Sequence, residues 1–193
     1  MHHVIIGAGP AGVNACEHLR RLDPDSNITL ISGESAPPYS RMAIPYLLVE
    51  RIDETGTYLR KSANHYTVQG ITLLHDRATT LDPQQRTVQL ASGANLVYDR
   101  CLIASGAIPV KPPIPGIDLP GVHNCWTLED AREIVARARP GAPVVLIGAG
   151  FIGCIIMESL IDRGVKLTQC RNAGGNSGIQ INLGASHCPY RGG

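Results

Sequence analysis

Short apolar runs alternate with helical stripes along the chain. Val4-Ile5-Ile6 is an apolar run that ends in Gly7-Ala8-Gly9-Pro10-Ala11-Gly12. A helical pattern follows, with Ala11, Ala15 and Leu19 spaced four apart, and the Asp23-Pro24 pair closes it. The next apolar run, residues 28–31, leads into Ser32-Gly33-Glu34 and a proline-bearing loop over 37–41. This is a β-α-β unit with an acidic residue at the tip of its second strand. From Ile71 onward the period is that of strands. Residues 71–74, 87–90 and 95–98 read as β segments, with turns at Asp82-Pro83 and Ser92-Gly93. Leu102-Ile103-Ala104 reads as a further buried run, ending at Ser105-Gly106. Pro109, Pro112, Pro113 and Pro115 then mark a stiff connection.

The second part of the chain repeats the theme. Thr127 caps a helix with Asp130 at its third position, and Ala131, Ile134, Val135 and Ala138 form its apolar face. Pro140-Gly141 ends it. Residues 144–147 form a strand, followed by Gly148-Ala149-Gly150-Phe151-Ile152-Gly153 and a helix to about Arg163. Val165-Lys166-Leu167-Thr168 begins one more strand. At Gln169 the composition shifts. The remainder is rich in glycine, has no acidic residue and shows weak periodicity, so 169–193 reads as a tail of unknown structure.

Each G-x-G-x-x-G follows a strand and opens a helix, and a dinucleotide diphosphate requires that arrangement. The first glycine permits a tight turn, the second lets backbone approach the phosphates, and the third lets helix pack on strand. The helix N-terminus offers amides and a positive dipole end. Glu34 lies 22 residues beyond Gly12, near the offset of about 20 expected for an acid that holds a ribose hydroxyl. No matching acid is found for the second copy. The two first glycines are 141 residues apart. Two dinucleotide folds in one chain point to hydride transfer from a nicotinamide to a flavin, where the cofactor carries the chemistry and no catalytic side chain is required.

Composition narrows the class. The chain has 193 residues, 44% apolar and 17% charged, with a formal net charge of +1. That suits a globular core and gives no electrostatic support for nucleic acid or an anionic membrane. No apolar run reaches the about 18 residues of a membrane span, and no signal-peptide pattern precedes Val4, so a cytoplasmic protein is expected. The six cysteines lack C-x-x-C spacing and read as reduced thiols, with no metal site. Cys16, Cys101 and Cys154 are expected inside the core.

These residues resemble the FAD- and NAD(P)-dependent pyridine nucleotide-disulfide oxidoreductase superfamily. The nearest branch is similar to the rubredoxin and ferredoxin reductases and the flavin part of the nitrite reductase large subunit. The match rests on Val4 to Gly12, Pro38-Tyr39-Ser40-Arg41, Ala104-Ser105-Gly106-Ala107-Ile108-Pro109 and Val144 to Gly153. The resemblance implies an α/β fold: a Rossmann-like FAD-binding domain with an inserted β-meander over 1–110, incomplete in itself. A linker and the first β-α unit of a second Rossmann-like, NAD(P)-binding domain would follow over 111–168, and a divergent tail over 169–193.

The resemblance also implies roles. Gly7, Gly9, Pro10, Ala11 and Gly12 would line the FAD diphosphate, and Glu34 would hold the adenosine ribose. Arg41 would sit near the flavin or its phosphates, Ala78 would meet the adenine side through its backbone, and Ala104, Ser105 and Gly106 would pass under FAD. Gly148, Gly150, Phe151, Ile152 and Gly153 would take NAD(P)H. The activity implied is an FAD-dependent oxidoreductase that passes hydride from NAD(P)H to flavin and on to an unidentified acceptor, such as a redox protein. Met42 stands where coenzyme A disulfide reductase relatives have a cysteine, Tyr46 where rubredoxin-reductase relatives have a lysine, and Ile155 where many relatives have a glutamate. Relatives continue well past this length. The shift at Gln169 leads to the expectation of a truncated or frameshifted reading frame. The alternatives are an FAD-binding fragment without turnover, or a subunit completed by a partner chain.

Overall fold

A strand buried on both faces must be apolar along its length rather than alternating, and the N-terminal run has that character. In the computed structural model, which describes residues 1–148, 150–171 and 179–183, it forms β1 (His2–Ile6), with Val4 and Ile5 fully buried. α1 (Pro10–Leu22) starts on a proline whose fixed φ suits a first turn, and it ends with Arg20 and Arg21 at the negative end of the helix dipole. β2 (Asn27–Ser32) follows. A 3₁₀ turn (Arg41–Ala43) precedes three short helices: α2 (Ile44–Leu48), α3 (Glu54–Thr57) and α4 (His65–Val68). Then come β3 (Ile71–His75), β4 (Ala78–Asp82), β5 (Thr87–Leu90), β6 (Asn95–Val97) and β7 (Arg100–Ile103). α5 (Leu128–Arg137), β8 (Pro143–Ile147), α6 (Phe151–Asp162), β9 (Lys166–Arg171) and β10 (Ile179–Leu183) complete the described elements. None of the helices among the described residues is long and apolar enough to cross a membrane.

The chain groups into two units, Met1–Ser40 with Thr57–Ile108 and Arg41–Gly56 with Pro109–Gly193. In the first, a parallel sheet has the order β3-β2-β1-β7, and an antiparallel sheet the order β4-β5-β6. Alternate residues of a strand face opposite ways. Ile5, Ile28 and Leu30 therefore meet Val13 and Cys16 of α1, together with Tyr66 and Ile71. On the other face, Val4 and Ile31 meet Val88, Leu90 and Tyr98 of the smaller sheet region. The β-α-β expectation and the inserted meander are both realised. Residues 71–75, however, extend the parallel sheet, paired with β2, and the meander begins at β4. A bulge between Ala78 and Thr80 breaks the alternation of β4, which hid that strand from periodicity. Leu102 and Ile103, expected buried, are exposed, because β7 lies at the sheet edge.

Glu17 secures α1 to the segment before β3. Arg60 donates to its carboxylate through Nε at 2.6 Å and Nη2 at 2.5 Å, and a His65 ring nitrogen lies 2.8 Å from it. The Arg60 fork holds the Glu17 carboxyl below its ordinary range, with His65 adding to the effect.

In the second unit β8 and β9 run parallel and β10 pairs antiparallel to β9, giving the order β10-β9-β8. β9 extends through Gln169 to Arg171, and residues 179–183 form its partner, so part of the segment read as a tail is strand. α5 carries the expected capping box: Asp130 N–H donates to Thr127 Oγ1 at 3.1 Å, and Thr127 N–H donates to the Asp130 carboxylate at 2.8 Å. Arg163 ties three helices together. Its guanidinium donates to the carbonyls of Val135 (3.1 Å) and Ala138 (2.9 Å) by α5, and to that of Leu48 in α2, from a position just beyond α6. α6 buries Ile156, Ser159 and Leu160. Cys154, expected in the core, lies off that stripe and is exposed, whereas Cys16 is buried and Cys101 partly so.

Candidate functional site

The two glycine fingerprints fold into nearly the same backbone corner. Gly7 and Gly148 have φ of 110° and 113°, a region in which a side chain is strained. Each ends its strand by donating its N–H to a carbonyl of the neighbouring parallel strand, Gly7 to Ile31 at 3.0 Å and Gly148 to Cys170 at 2.9 Å. Gly9 and Gly150 are extended helix caps, with φ, ψ of −78°, −177° and −77°, 179°, and neither helix start is closed by a side-chain hydrogen bond. The first intrahelical bonds also match: Val13 N–H to Gly9 and Cys154 N–H to Gly150, both at 3.0 Å. Helix N-terminal amides without a side-chain cap are ready donors to an anion.

The copies differ in how tightly they are enclosed. A β-carbon at position 7 would sit 2.3 Å from the Ala104 carbonyl oxygen and 2.9 Å from Ser105 Cα, and one at position 12 would sit 1.9 Å from the Gly7 oxygen. At position 9 it would meet nothing within 4 Å. The structure therefore brings Gly7, Gly9, Pro10, Ala11 and Gly12 together with Ala104 and Ser105, around open space on the Gly9 side. Gly106, next in the chain, has φ of 69°, in the left-handed region that favours glycine. In the second copy a β-carbon at Gly148 or Gly150 meets nothing, and at Gly153 it lies 3.0 Å from the Gly148 oxygen. β8 has no neighbour on its outer edge among the described residues, so no strand passes behind Gly148 as β7 passes behind Gly7.

At the C-terminal ends of β2 and β3, Ser32, Gly33, Glu34, Ser35, His75, Asp76 and Arg77 line a cavity of about 280 Å³. Glu34 is held at both ends. Its carbonyl accepts from Ser32 Oγ at 3.0 Å and lies 3.0 Å from His75 Nδ1, and its carboxylate accepts from Tyr39 Oη at 2.7 Å. Ala78, the next residue after this lining, opens β4 and packs against the Val4–Val88 core. No local sequence pattern singles out Tyr39. Its contact depends on a loop folding back over five residues, for which periodicity carries no signal.

Arg41 belongs to the second unit. It lines a cavity of about 530 Å³ that also takes in Phe151, Ile152, Ile155, Cys125 and Trp126. Its guanidinium stands 5.0 Å from the centroid of the Trp126 ring, a cation–π arrangement that the sequence did not signal. Burial, then the charge of Asp130, pushes the Cys125 thiol up to about 12. Met42 contributes a thioether to the same lining, which cannot become a thiolate.

The pyridine nucleotide-disulphide oxidoreductase family profile matches residues 1–173. The biphenyl dioxygenase ferredoxin–NAD(+) reductase component of Paraburkholderia xenovorans is 32% identical over 85% of this chain and 40% of its own length. The rubredoxin–NAD(+) reductase of Pseudomonas putida is 29% identical over 86% of the chain and 43% of its own length. Among solved structures, a ferredoxin reductase from Rhodopseudomonas palustris superposes with a TM-score of 0.81 at 29% identity, covering 87% of this chain and 42% of that one. The chain thus spans about 40% of the length of the curated relatives it matches. With the profile spanning both glycine corners and the sheet that links the first to Ala104, this chain belongs to the pyridine nucleotide-disulphide oxidoreductase family.

Proposed function

We propose that this chain supplies the FAD-binding part, and the opening of the NAD(P)H-binding part, of an oxidoreductase that moves hydride from NAD(P)H to flavin and electrons onward to a redox acceptor. The domain partition at residues 110 and 168 is part of this reading. The observation that carries it is the Gly7–Gly12 corner, where backbone crowds positions 7 and 12 while position 9 opens onto free space beside an uncapped helix start. Those residues fit a diphosphate. The amides after Pro10 would donate to it, and Ala104, Ser105 and Gly106 would border it. Glu34 would accept from the adenosine ribose, and Ala78 would flank the adenine through its backbone. Arg41 would offer a cation to flavin or phosphate. Gly148, Gly150, Phe151, Ile152 and Gly153 would do for NAD(P)H what the first copy does for FAD.

When bound, FAD supplies the two-electron chemistry that side chains lack. The residues of this chain bind, orient and exclude water. No side chain is assigned a proton-transfer role, and Met42 supports a reading without cysteine redox chemistry. The relatives named for ferredoxin or rubredoxin support a small redox protein as acceptor. NADH-dependent ferricyanide reduction by the FAD-loaded chain tests the activity. Turnover that follows FAD loading supports it, and FAD-loaded protein without turnover moves the assignment to a binding fragment.

A second reading is favoured by the free edge of β7. Among the described residues no strand pairs with its outer side, and Leu102 and Ile103 are exposed there. An unpaired apolar edge is a template for another strand, which supports a subunit completed by a partner chain. Co-expression with the C-terminal part of a full-length relative tests it: co-purification supports this reading, and a chain that stays alone and monodisperse opposes it.

A further inference from the structure

Glutamate has several rotatable bonds, and fixing its carboxylate at the moment of binding costs entropy that a pre-formed hydrogen bond removes. Glu34 lines the cavity at the ends of β2 and β3 with its main chain already fixed, its carbonyl held by Ser32 Oγ and facing His75 Nδ1. Tyr39 restrains its side chain: its hydroxyl donates to Glu34 Oε2 at 2.7 Å, while the residue is 6% exposed.

Tyr39 is itself clamped. It forms an antiparallel bridge with Tyr58. On either side of it, Leu59 N–H donates to the Pro38 carbonyl at 2.9 Å and Ser40 N–H to the Thr57 carbonyl at 3.0 Å. This short two-stranded clip fixes the backbone that carries the ring, and Pro37 and Pro38 stiffen the approach to it. Nothing about a mere loop contact requires a buried phenol aimed at a carboxylate on a cavity wall.

We infer that Tyr39 is a positioning residue for Glu34, holding its carboxylate in the orientation that receives the adenosine ribose of FAD. The inference rests on the proposed role of Glu34 and adds to it the group that sets its geometry. A phenol in this place donates to the carboxylate and so also keeps it from swinging into solvent. The ligand portion affected is the adenosine end alone.

Titration of the chain with FAD, ADP and FMN, for the native protein and for Tyr39→Phe, Glu34→Gln and the double variant, tests this. FMN lacks the adenosine ribose, and ADP carries it without a flavin. Tyr39→Phe is expected to weaken FAD and ADP by the same factor, about five- to tenfold, to leave FMN unchanged, and to have no effect once Glu34 is Gln. Equal losses for FAD and FMN would mean a structural role and overturn the inference, as would an unchanged FAD affinity in Tyr39→Phe while Glu34→Gln weakens it. An unchanged FAD affinity in Glu34→Gln would instead remove the ribose role of Glu34 and the inference with it. Should Tyr39→Phe fold poorly, the native chain still decides: ADP and FAD held no better than FMN overturns the inference.

Discussion

The carbonyl oxygen of Gly7 lies 1.9 Å from where a β-carbon on residue 12 would stand. Gly12 is therefore demanded by the packing of α1 against the end of β1, before any ligand is considered. Gly9 has no such constraint in the protein itself.

The two glycines should respond differently to the same substitution. Gly12→Ala forces backbone apart and is expected to lower stability by about 3 kcal/mol or more. Gly9→Ala is expected to leave the melting temperature nearly unchanged, yet to weaken FAD binding by about tenfold or more, because the methyl group occupies the approach to the phosphates. Thermal denaturation without ligand, paired with FAD titration, checks both. Equal destabilisation by the two substitutions would contradict this account.

The Glu17–Arg60 pair predicts a pH dependence. The folded-state pKa of Glu17 is lowered, so its contribution is fully present above the ordinary glutamate value of about 4.3 and is lost as pH falls through the folded value. Stability measured by chemical denaturation should fall on acidification below that point. Glu17→Gln should lower stability by about 1 kcal/mol at pH 7 and flatten the acid limb. An acid limb as steep in the variant as in the native chain would contradict this.

Thiol reactivity should follow burial. Burial pushes the thiols of Cys16 and Cys125 up to about 12, which leaves almost no thiolate near neutral pH. Cys154 is exposed on α6. Iodoacetamide labelling mapped by mass spectrometry is expected, among the described cysteines, to mark Cys154 first and to reach buried Cys16 only in denaturant.

The capping box on α5 gives a stability prediction free of any ligand. Thr127→Ala removes the acceptor for Asp130 N–H and is expected to cost about 1 kcal/mol. Helix content and denaturation midpoint measure it.

The reach of sequence reasoning follows from range. Both strand–glycine–helix corners and the Thr127 cap are local, written within a few residues of backbone demand or periodicity. β4 was hidden because its bulge breaks the alternation on which strand recognition depends. α2, α3 and α4 were missed because four or five residues cannot display a helical period. The grouping of residues 41–56 with the second unit rests on contacts such as Arg163 to the Leu48 carbonyl, 115 residues apart, which no local pattern encodes. The exposure of Leu102 and Ile103 depends on where β7 falls in the sheet order. Tyr39 on Glu34 and Arg41 over Trp126 are likewise products of loops closing in space.

The central claim is that the amides at the start of α1 hold the diphosphate of FAD. Equilibrium titration of the ligand-free chain with FAD, followed by flavin fluorescence and by competition with ADP, tests it most directly. The account predicts saturable one-to-one binding of FAD, displacement by ADP, much weaker binding of FMN, and a loss in Gly9→Ala confined to the two diphosphate ligands, FAD and ADP. A folded chain that fails to bind FAD at saturating concentration, or that holds FAD and FMN equally well, would contradict it.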